Sequence, residues 1–219
     1  MIKRSLQLEH QFWKDRWELN QIGFHQTEIN TYLSQHWSEL GLMDNAPVFV
    51  PLCGKSLDML WLREQGHDVL GIELFEVALD AFFSENDIIP TKERTERFVE
   101  FKADRLRLLA GDFFHLQAED LDGINAVYDR AALIAFPPEM RAQYANHMSQ
   151  LLKPGAHIML IAMEYKDGVL KGPPFSVNEA EVHQLYAEHF DIQLKGAFDR
   201  AWVKDRYVTE KVYSLTRRP

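Results

Sequence analysis

One turn in the chain carries residue types that suit a ligand better than a core. It is Val48-Phe-Val-Pro-Leu-Cys-Gly-Lys55, an apolar run that ends on a glycine. Nineteen residues after Gly54 stands Glu73, directly behind the apolar stretch Val69-Leu-Gly-Ile72. A glycine turn after a strand, with an acid roughly 20 residues later, is the spacing that fixes a nucleoside. The backbone approaches the ligand at the turn, and the carboxylate accepts hydrogen bonds from both ribose hydroxyls. The alternative for Glu73, a solvated surface acid, fits poorly with its place at the end of an apolar strand. A dinucleotide site would need G-x-G-x-x-G to admit a pyrophosphate, and only Gly54 is present. A nucleoside with an amino-acid tail needs less room. Gly54-Lys55-Ser56 also ends like a P-loop, but the glycine required five residues earlier is Phe49, so that reading fails.

In an open parallel sheet, ligands sit beyond the carboxyl ends of the strands. That rule selects Leu52, Cys53, Gly54 and Lys55 after the first strand and Glu73 after the second. It also selects Asp112 and Phe113 in Gly-Asp-Phe-Phe, Asp129 and Arg130, and then Glu164 and Tyr165. Arg130 follows an apolar run that would hold its guanidinium at a strand tip, with Asp129 as the neighbour to orient it. A structural salt bridge to a helix is the open alternative. Cys53 could be a nucleophile only with a partner base, and none is implied, so it reads as a small buried residue. The nine histidines show no metal-ligand spacing, and no metal is predicted. Trp13, Trp17 and Phe24 are either plain core or part of a lid over the open end of the sheet. The proline-stiffened Lys171-Gly-Pro-Pro-Phe-Ser176 lies at the same end, so that Phe24 and Phe175 would face one pocket.

These residues need a scaffold, and the hydrophobic pattern supplies one. Helices are predicted over Glu9–Trp17 and Thr27–Leu40, the second capped by Thr27. From Pro47 onward strands alternate with helices. Val48–Pro51, Val69–Glu73, Ile124–Tyr128 and His157–Met163 read as buried strands. Ser56–Gln65, Phe75–Glu85, Pro138–Leu152 and Glu179–Phe190 read as helices, and in the second of these Val77, Leu79, Phe82 and Phe83 form the apolar side. Phe98–Leu109 suggests two short strands around Ala103-Asp104, and Ile192–Phe198 with Val208–Thr216 an antiparallel pair. The order predicts an α/β fold, a mostly parallel sheet with helices on both faces. It reads as one domain, 1–219, in which residues 1–45 cap a core of 46–219.

Composition narrows the partners. With 219 residues, 46% hydrophobic and 26% charged, the chain is a folded domain and not a disordered one. A net charge of −9 with scattered basic residues argues against nucleic acid. No signal-peptide pattern or apolar run of membrane length is present, and the lone Cys53 is compatible with a reducing compartment, so a soluble cytoplasmic protein is expected.

The motifs resemble one family, the thiopurine S-methyltransferases in their bacterial form. They are Phe12-Trp-Lys-Asp-Arg-Trp17, Ile22-Gly-Phe-His-Gln26, Val50-Pro-Leu-Cys-Gly-Lys-Ser56, Gly71-Ile-Glu73, Gly111-Asp-Phe-Phe114, Tyr128-Asp-Arg-Ala-Ala-Leu133, Pro137-Pro-Glu-Met-Arg141 and Gly172-Pro-Pro-Phe-Ser-Val177. They run in order over nearly the whole chain. The resemblance implies a Rossmann-like class I fold of the seven-stranded type with an N-terminal helical lid. It also implies methyl transfer from S-adenosyl-L-methionine to the sulfur of an aromatic or heterocyclic thiol, with selenium or tellurium compounds as further acceptors. Trp17, Leu52, Gly54, Glu73 and Arg130 match cofactor-contacting positions, with Asp112 and Phe113 near the adenine. Phe24, Phe175 and, less securely, Arg200 match the acceptor side. A small-molecule thiol is then the partner, and a monomer the expected state.

Methyl transfer is an in-line displacement that asks mainly for proximity and alignment. Arg130 would stabilise an anionic acceptor by charge, or pass its proton on through water or Asp129; the first is preferred because arginine stays protonated. A nicotinamide oxidoreductase is disfavoured by the missing glycines. A non-catalytic binding protein is disfavoured by the intact strand-tip residues.

Overall fold

A computed structural model describes residues 2–219 apart from 20, 24, 167, 204 and 205; of 2–9, 202, 203 and 206 it describes the backbone only. Among the described residues nine strands form one sheet in the order β3-β4-β5-β2-β1-β6-β7-β9-β8. They are β1 (Val48–Val50), β2 (Val69–Glu73), β3 (Thr91–Arg94), β4 (Val99–Ala103), β5 (Leu106–Ala110), β6 (Ala126–Arg130), β7 (His157–Glu164), β8 (Phe190–Val203) and β9 (Arg206–Arg217). The centre, β5-β2-β1-β6-β7, is parallel throughout. Antiparallel pairs close both edges, β3-β4-β5 on one side and β7-β9-β8 on the other, so the sheet is mixed.

Strand alternation sends side chains to two separate cores. Val48, Val50, Val69, Leu106, Leu108, Ala126 and Tyr128 pack with Met59 and Leu62 of α3 (Asp58–Glu64) and with Leu79, Phe82 and Phe83 of α4 (Glu76–Glu85). Phe49, Leu70, Ile72, Leu109 and Val127 pack on the opposite face with Tyr144 and Met148 of α5 (Pro138–Leu151) and Val182 and Tyr186 of α6 (Glu179–Tyr186). Both faces of the sheet are therefore covered. The central parallel strands β1 and β2 are buried end to end because neither of their faces meets water.

The antiparallel tail and the β4–β5 pair match the alternation of their sequences. β3 does not, since Thr91, Lys92, Glu93 and Arg94 are all exposed and carry no apolar signal. An edge strand held by its ladder to β4 and by exposed ion pairs from Lys92 and Arg94 to α4 leaves no hydrophobic trace. In α4 the buried residues are Ala78, Leu79, Phe82 and Phe83, while Val77 is exposed.

Two helices precede the sheet. α1 spans Ile2–Glu18, longer than its apolar pattern suggests. α2 begins only at Thr31, so Thr27 is not its cap. Asn30 is: its Oδ1 accepts from the N–H groups of Tyr32 (3.0 Å) and Leu33 (3.3 Å), two of the donors a helix start leaves without partners. α2 ends at His36 and gives way to a 3-10 turn, Trp37–Leu40, stopped by left-handed Gly41.

Candidate active site

A cavity of about 760 Å³ opens at the carboxyl ends of the parallel strands. Of the sequence-derived residues, Trp17, Leu52, Gly54, Glu73, Asp112, Phe113, Arg130 and Arg200 line it, as do Trp13, Cys53 and Lys55. α1 and the loop behind it form one wall through Trp13, Arg16, Trp17 and His25. Leu170–Pro174 form another.

The floor is the turn after β1. Leu52 (φ 47°) and Gly54 (φ 51°) both adopt left-handed backbone, which bends the chain sharply away from the strand end. Such a conformation strains leucine, and strain of this kind concentrates at ligand sites. The bend aims the Gly54 N–H at Glu73 Oε2, 3.0 Å away, while the Phe75 N–H reaches Oε1 at 3.2 Å. These bonds set the carboxylate at the tip of β2. Burial outweighs them and raises its pKa from 4.5 to about 7. A Cβ at Gly54 would stand 3.4 Å from the Trp17 ring, so α1 lies directly across the turn.

Asp112 caps the short 3-10 turn Phe113–His115 by accepting the Phe114 N–H at 2.9 Å. Its other oxygen faces His10 of α1 at 3.7 Å. Phe113 is nearly buried, stacked on Phe49 with centroids 6.4 Å apart and tilted against Tyr144.

At the tip of β6, Arg130 Nε donates to Asp58 Oδ2 at 3.0 Å and Nη2 to Ser56 Oγ at 3.2 Å. Asp58 is buried at the start of α3 and gathers two further donors, the Tyr128 hydroxyl (3.0 Å) and the Asn30 N–H (2.8 Å). The same aspartate thus ties β6, α3 and the cap of α2 together. It is also the carboxylate that orients Arg130.

Asp129 does not take that part. Neighbouring strand residues point to opposite faces, and Asp129 faces the α5 side. There its carboxylate accepts from the Tyr144 hydroxyl (2.8 Å) and the Leu133 N–H (3.2 Å). It does not line the cavity. Burial raises its pKa to about 6 despite these bonds.

Phe175 is a second correction. Pro173 and Pro174 line the cavity while Phe175 stands behind them, packed under Gly172 and 5.9 Å from the Arg141 guanidinium. Its N–H donates to the Ile134 carbonyl at 2.7 Å, anchoring the loop. Phe24, expected across from it, lies outside the described residues. Cys53 is buried, and burial pushes its thiol pKa up, away from the reactive thiolate. Lys55 pairs with Glu85 of α4 at 2.6 Å.

Sequence reading passed over Asp58, Ser56, Tyr128 and Glu210. Period-two alternation was the available signal for one of them, since Tyr128 and Arg130 share a face. Glu210 on β9 gave none. It lines the cavity, pairs with Arg200 of β8 at 3.0 Å, and has its pKa raised by burial. Among the described residues no group of His, Cys, Asp and Glu is arranged to hold a metal ion, and no helix is long and apolar enough to cross a membrane.

Among solved structures, the chain aligns with the Burkholderia thailandensis 1,6-didemethyltoxoflavin-N1-methyltransferase, solved with 1,6-didemethyltoxoflavin and S-adenosylhomocysteine. The TM-score is 0.68 at 17% identity, over 99% of this chain and 90% of the other. That likeness establishes the Rossmann-like class I methyltransferase fold. In sequence it is 46% identical over 211 residues to a thiopurine S-methyltransferase of Pseudomonas fluorescens strain SBW25, covering 96% of this chain and 97% of its relative. It is 48% identical over 192 residues to that of Nitrosospira multiformis, covering 88% and 87%. The family model for thiopurine S-methyltransferase matches residues 8–218. The chain is a methyltransferase and belongs to the thiopurine S-methyltransferase family.

Proposed function

We propose that the cavity binds S-adenosyl-L-methionine and that the enzyme methylates the sulfur of aromatic or heterocyclic thiols, with selenium or tellurium compounds as further acceptors. The observation that carries this reading is the Glu73 carboxylate, fixed under the Gly54 turn at the edge of a cavity large enough for a nucleoside and a flat second substrate. The donor set fits the cofactor. Glu73 keeps acceptor capacity for ribose hydroxyls after taking two backbone N–H groups. The single glycine suits a ligand without a pyrophosphate.

When bound, S-adenosyl-L-methionine supplies an electrophilic methyl group on a sulfonium sulfur. The protein's own work is then alignment and charge. Trp17 packs over Gly54 and helps exclude water from the turn. Met140, Ile161 and the two prolines give the acceptor apolar walls. Arg130, fixed at Nε and Nη2, has its Nη1 free of that fork and presents positive charge at the strand tip for an ionising acceptor. In this reading the enzyme is a cytoplasmic monomer acting on a small-molecule acceptor, with neither nucleic acid nor membrane as partner.

The test is a thermal shift with S-adenosyl-L-methionine, S-adenosylhomocysteine and NADH, followed by assay with an aromatic thiol. Ligand at 100 times its dissociation constant should add about 2.7 kcal/mol. Stabilisation by NADH alone, or binding without turnover of any thiol, defeats the reading.

A further inference from the structure

Methyl transfer to a thiol leaves a proton to be disposed of, and Asp129 faces away from the cavity. We propose that Glu210 is the proton acceptor: its carboxylate takes the thiol proton at the acceptor end of the cavity and so releases Arg200 to face the sulfur anion. This rests on the methyl-transfer reading above. The S–H bond breaks, its electron pair stays on sulfur, an O–H bond forms on Glu210, and the proton later returns to water.

Three carboxylate side chains line the cavity among the described residues: Glu73, Asp112 and Glu210. Glu73 is committed to the Gly54 turn, and Asp112 caps its own 3-10 turn. Asp58 does not line the cavity and is occupied by Arg130, Tyr128 and Asn30. His25 also lines the cavity, but as a base it would become a cation beside Lys55 and Arg130. Glu210 has the opposite character. It stands among cations, so on taking a proton it leaves behind positive charge that a thiolate can use. One anion replaces another, and the net charge of the site is conserved.

The groups that face Glu210 come from three elements: Arg200 on β8, Arg130 on β6 and the Tyr32 hydroxyl on α2. Its β7 partner in the ladder is Met163, which carries no charge, and the adjacent Lys211 turns to Glu164 and Glu179. Burial raises the Glu210 pKa against the pull of both arginines, which makes it a stronger base than an exposed carboxylate. Its side chain is 10% exposed, enough to meet a ligand and too little to be solvated freely.

The experiment counts protons on binding, by calorimetry at pH 7 in buffers of different ionisation enthalpy. 4-Nitrothiophenol, already ionised, should be bound by the wild-type protein with uptake of up to one proton, and by Glu210→Gln with none. Benzyl mercaptan, which brings its own proton, should bind the wild type with no net exchange. No uptake by the wild type, or equal uptake by both proteins, overturns the proposal. The wild-type comparison of the two thiols stands even if the variant fails to fold. In turnover, Glu210→Gln should lose at least tenfold with benzyl mercaptan and less than threefold with 4-nitrothiophenol. Equal losses would mean that Glu210 only positions Arg200. A wild type that takes up the proton yet methylates neither thiol defeats the methyl-transfer reading and leaves the proton site standing.

Discussion

Arg130 is oriented by Asp58, 72 residues earlier in the chain, and its immediate neighbour Asp129 points through the sheet to Tyr144. The two aspartates look alike in sequence and do different work. Asp58 joins the carboxyl end of β6 to the start of α3, and the same oxygen that holds Arg130 also accepts the Tyr128 hydroxyl. Asp129 belongs to the core beneath α5.

Asp58→Asn should therefore damage both stability and turnover. Removing the charge breaks a buried ion pair, Asp58 being 1% and Arg130 13% exposed, at a cost of about 3 kcal/mol. Turnover of the molecules still folded should fall on the order of 100-fold, because the guanidinium loses its fixed geometry. Asp129→Asn should cost about 1–2 kcal/mol through the Tyr144 bond and leave turnover per folded molecule within a few-fold. Urea unfolding paired with active-site-normalised rates separates the two. Equal effects on rate would return Asp129 to the site.

Glu73 predicts a pH dependence of two opposite signs. In the unfolded chain it ionises near 4.5, and in the folded protein near 7. Below 4.5 both states hold the proton and nothing is lost. Between the two values the unfolded chain ionises first, so native stability falls as pH rises, by about 3 kcal/mol once pH passes 7. On the proposed reading cofactor binding should run the other way, because ribose hydroxyls would donate to the ionised form. Affinity for S-adenosylhomocysteine should rise from pH 6 to pH 8 in the wild type and stay flat in Glu73→Gln. That variant should also be more stable than the wild type at pH 8 without ligand. Calorimetry at the two pH values and urea unfolding at pH 5 and 8 check both signs. Glu73→Ala should bind cofactor weakly at either pH.

Gly54 separates backbone geometry from contact. Its φ of 51° is left-handed, so Gly54→Ala carries about 1 kcal/mol of strain. The added Cβ meets the Trp17 ring at 3.4 Å, an ordinary contact. Gly54→Val adds β-branched bulk and must push Trp17 aside. Stability should thus fall by about 1 kcal/mol in the alanine variant, with cofactor affinity reduced several-fold more in the valine variant. A Trp17→Ala background should remove that extra loss. If it persists there, the Trp17 packing is not what valine disturbs.

The sheet core and the place of Glu73 beside the Gly54 turn are legible in sequence because each rests on a short-range pattern. Val48–Val50 and Val69–Glu73 are continuous apolar runs, and the Gly54–Glu73 spacing follows from one strand-helix-strand unit. Asp58 was not legible as a ligand of Arg130, because an acid in the first turn of a helix is what the helix dipole alone would favour. Its role depends on β6 lying beside β1, which is a fact of topology. Glu210 is harder still. It meets the cavity because β9 inserts antiparallel between β7 and β8, and β8 brings Arg200 alongside. The Asp129 error was avoidable, since adjacent residues on a strand cannot face one site.

Arg130 itself gives the sharpest discrimination between charge and geometry. Its Nε and Nη2 are committed to Asp58 and Ser56, which leaves the far edge of a rigid plane for the cavity. Lysine keeps the charge, but all its donors sit on one nitrogen at the end of a flexible stem, so it cannot span Asp58, Ser56 and the cavity as the planar fork does. If charge near the acceptor were enough, Arg130→Lys should retain most of the turnover and Arg130→Ala should not. The two anchoring bonds argue that both variants lose turnover on the order of 100-fold, like Asp58→Asn, with the lysine variant only slightly better. Affinity for S-adenosylhomocysteine should change little in either, because Glu73 and the Gly54 turn do not depend on Arg130. Affinity that collapsed together with turnover would make Arg130 a cofactor-binding residue first. Rates with saturating cofactor, beside binding constants for the product, decide between these outcomes.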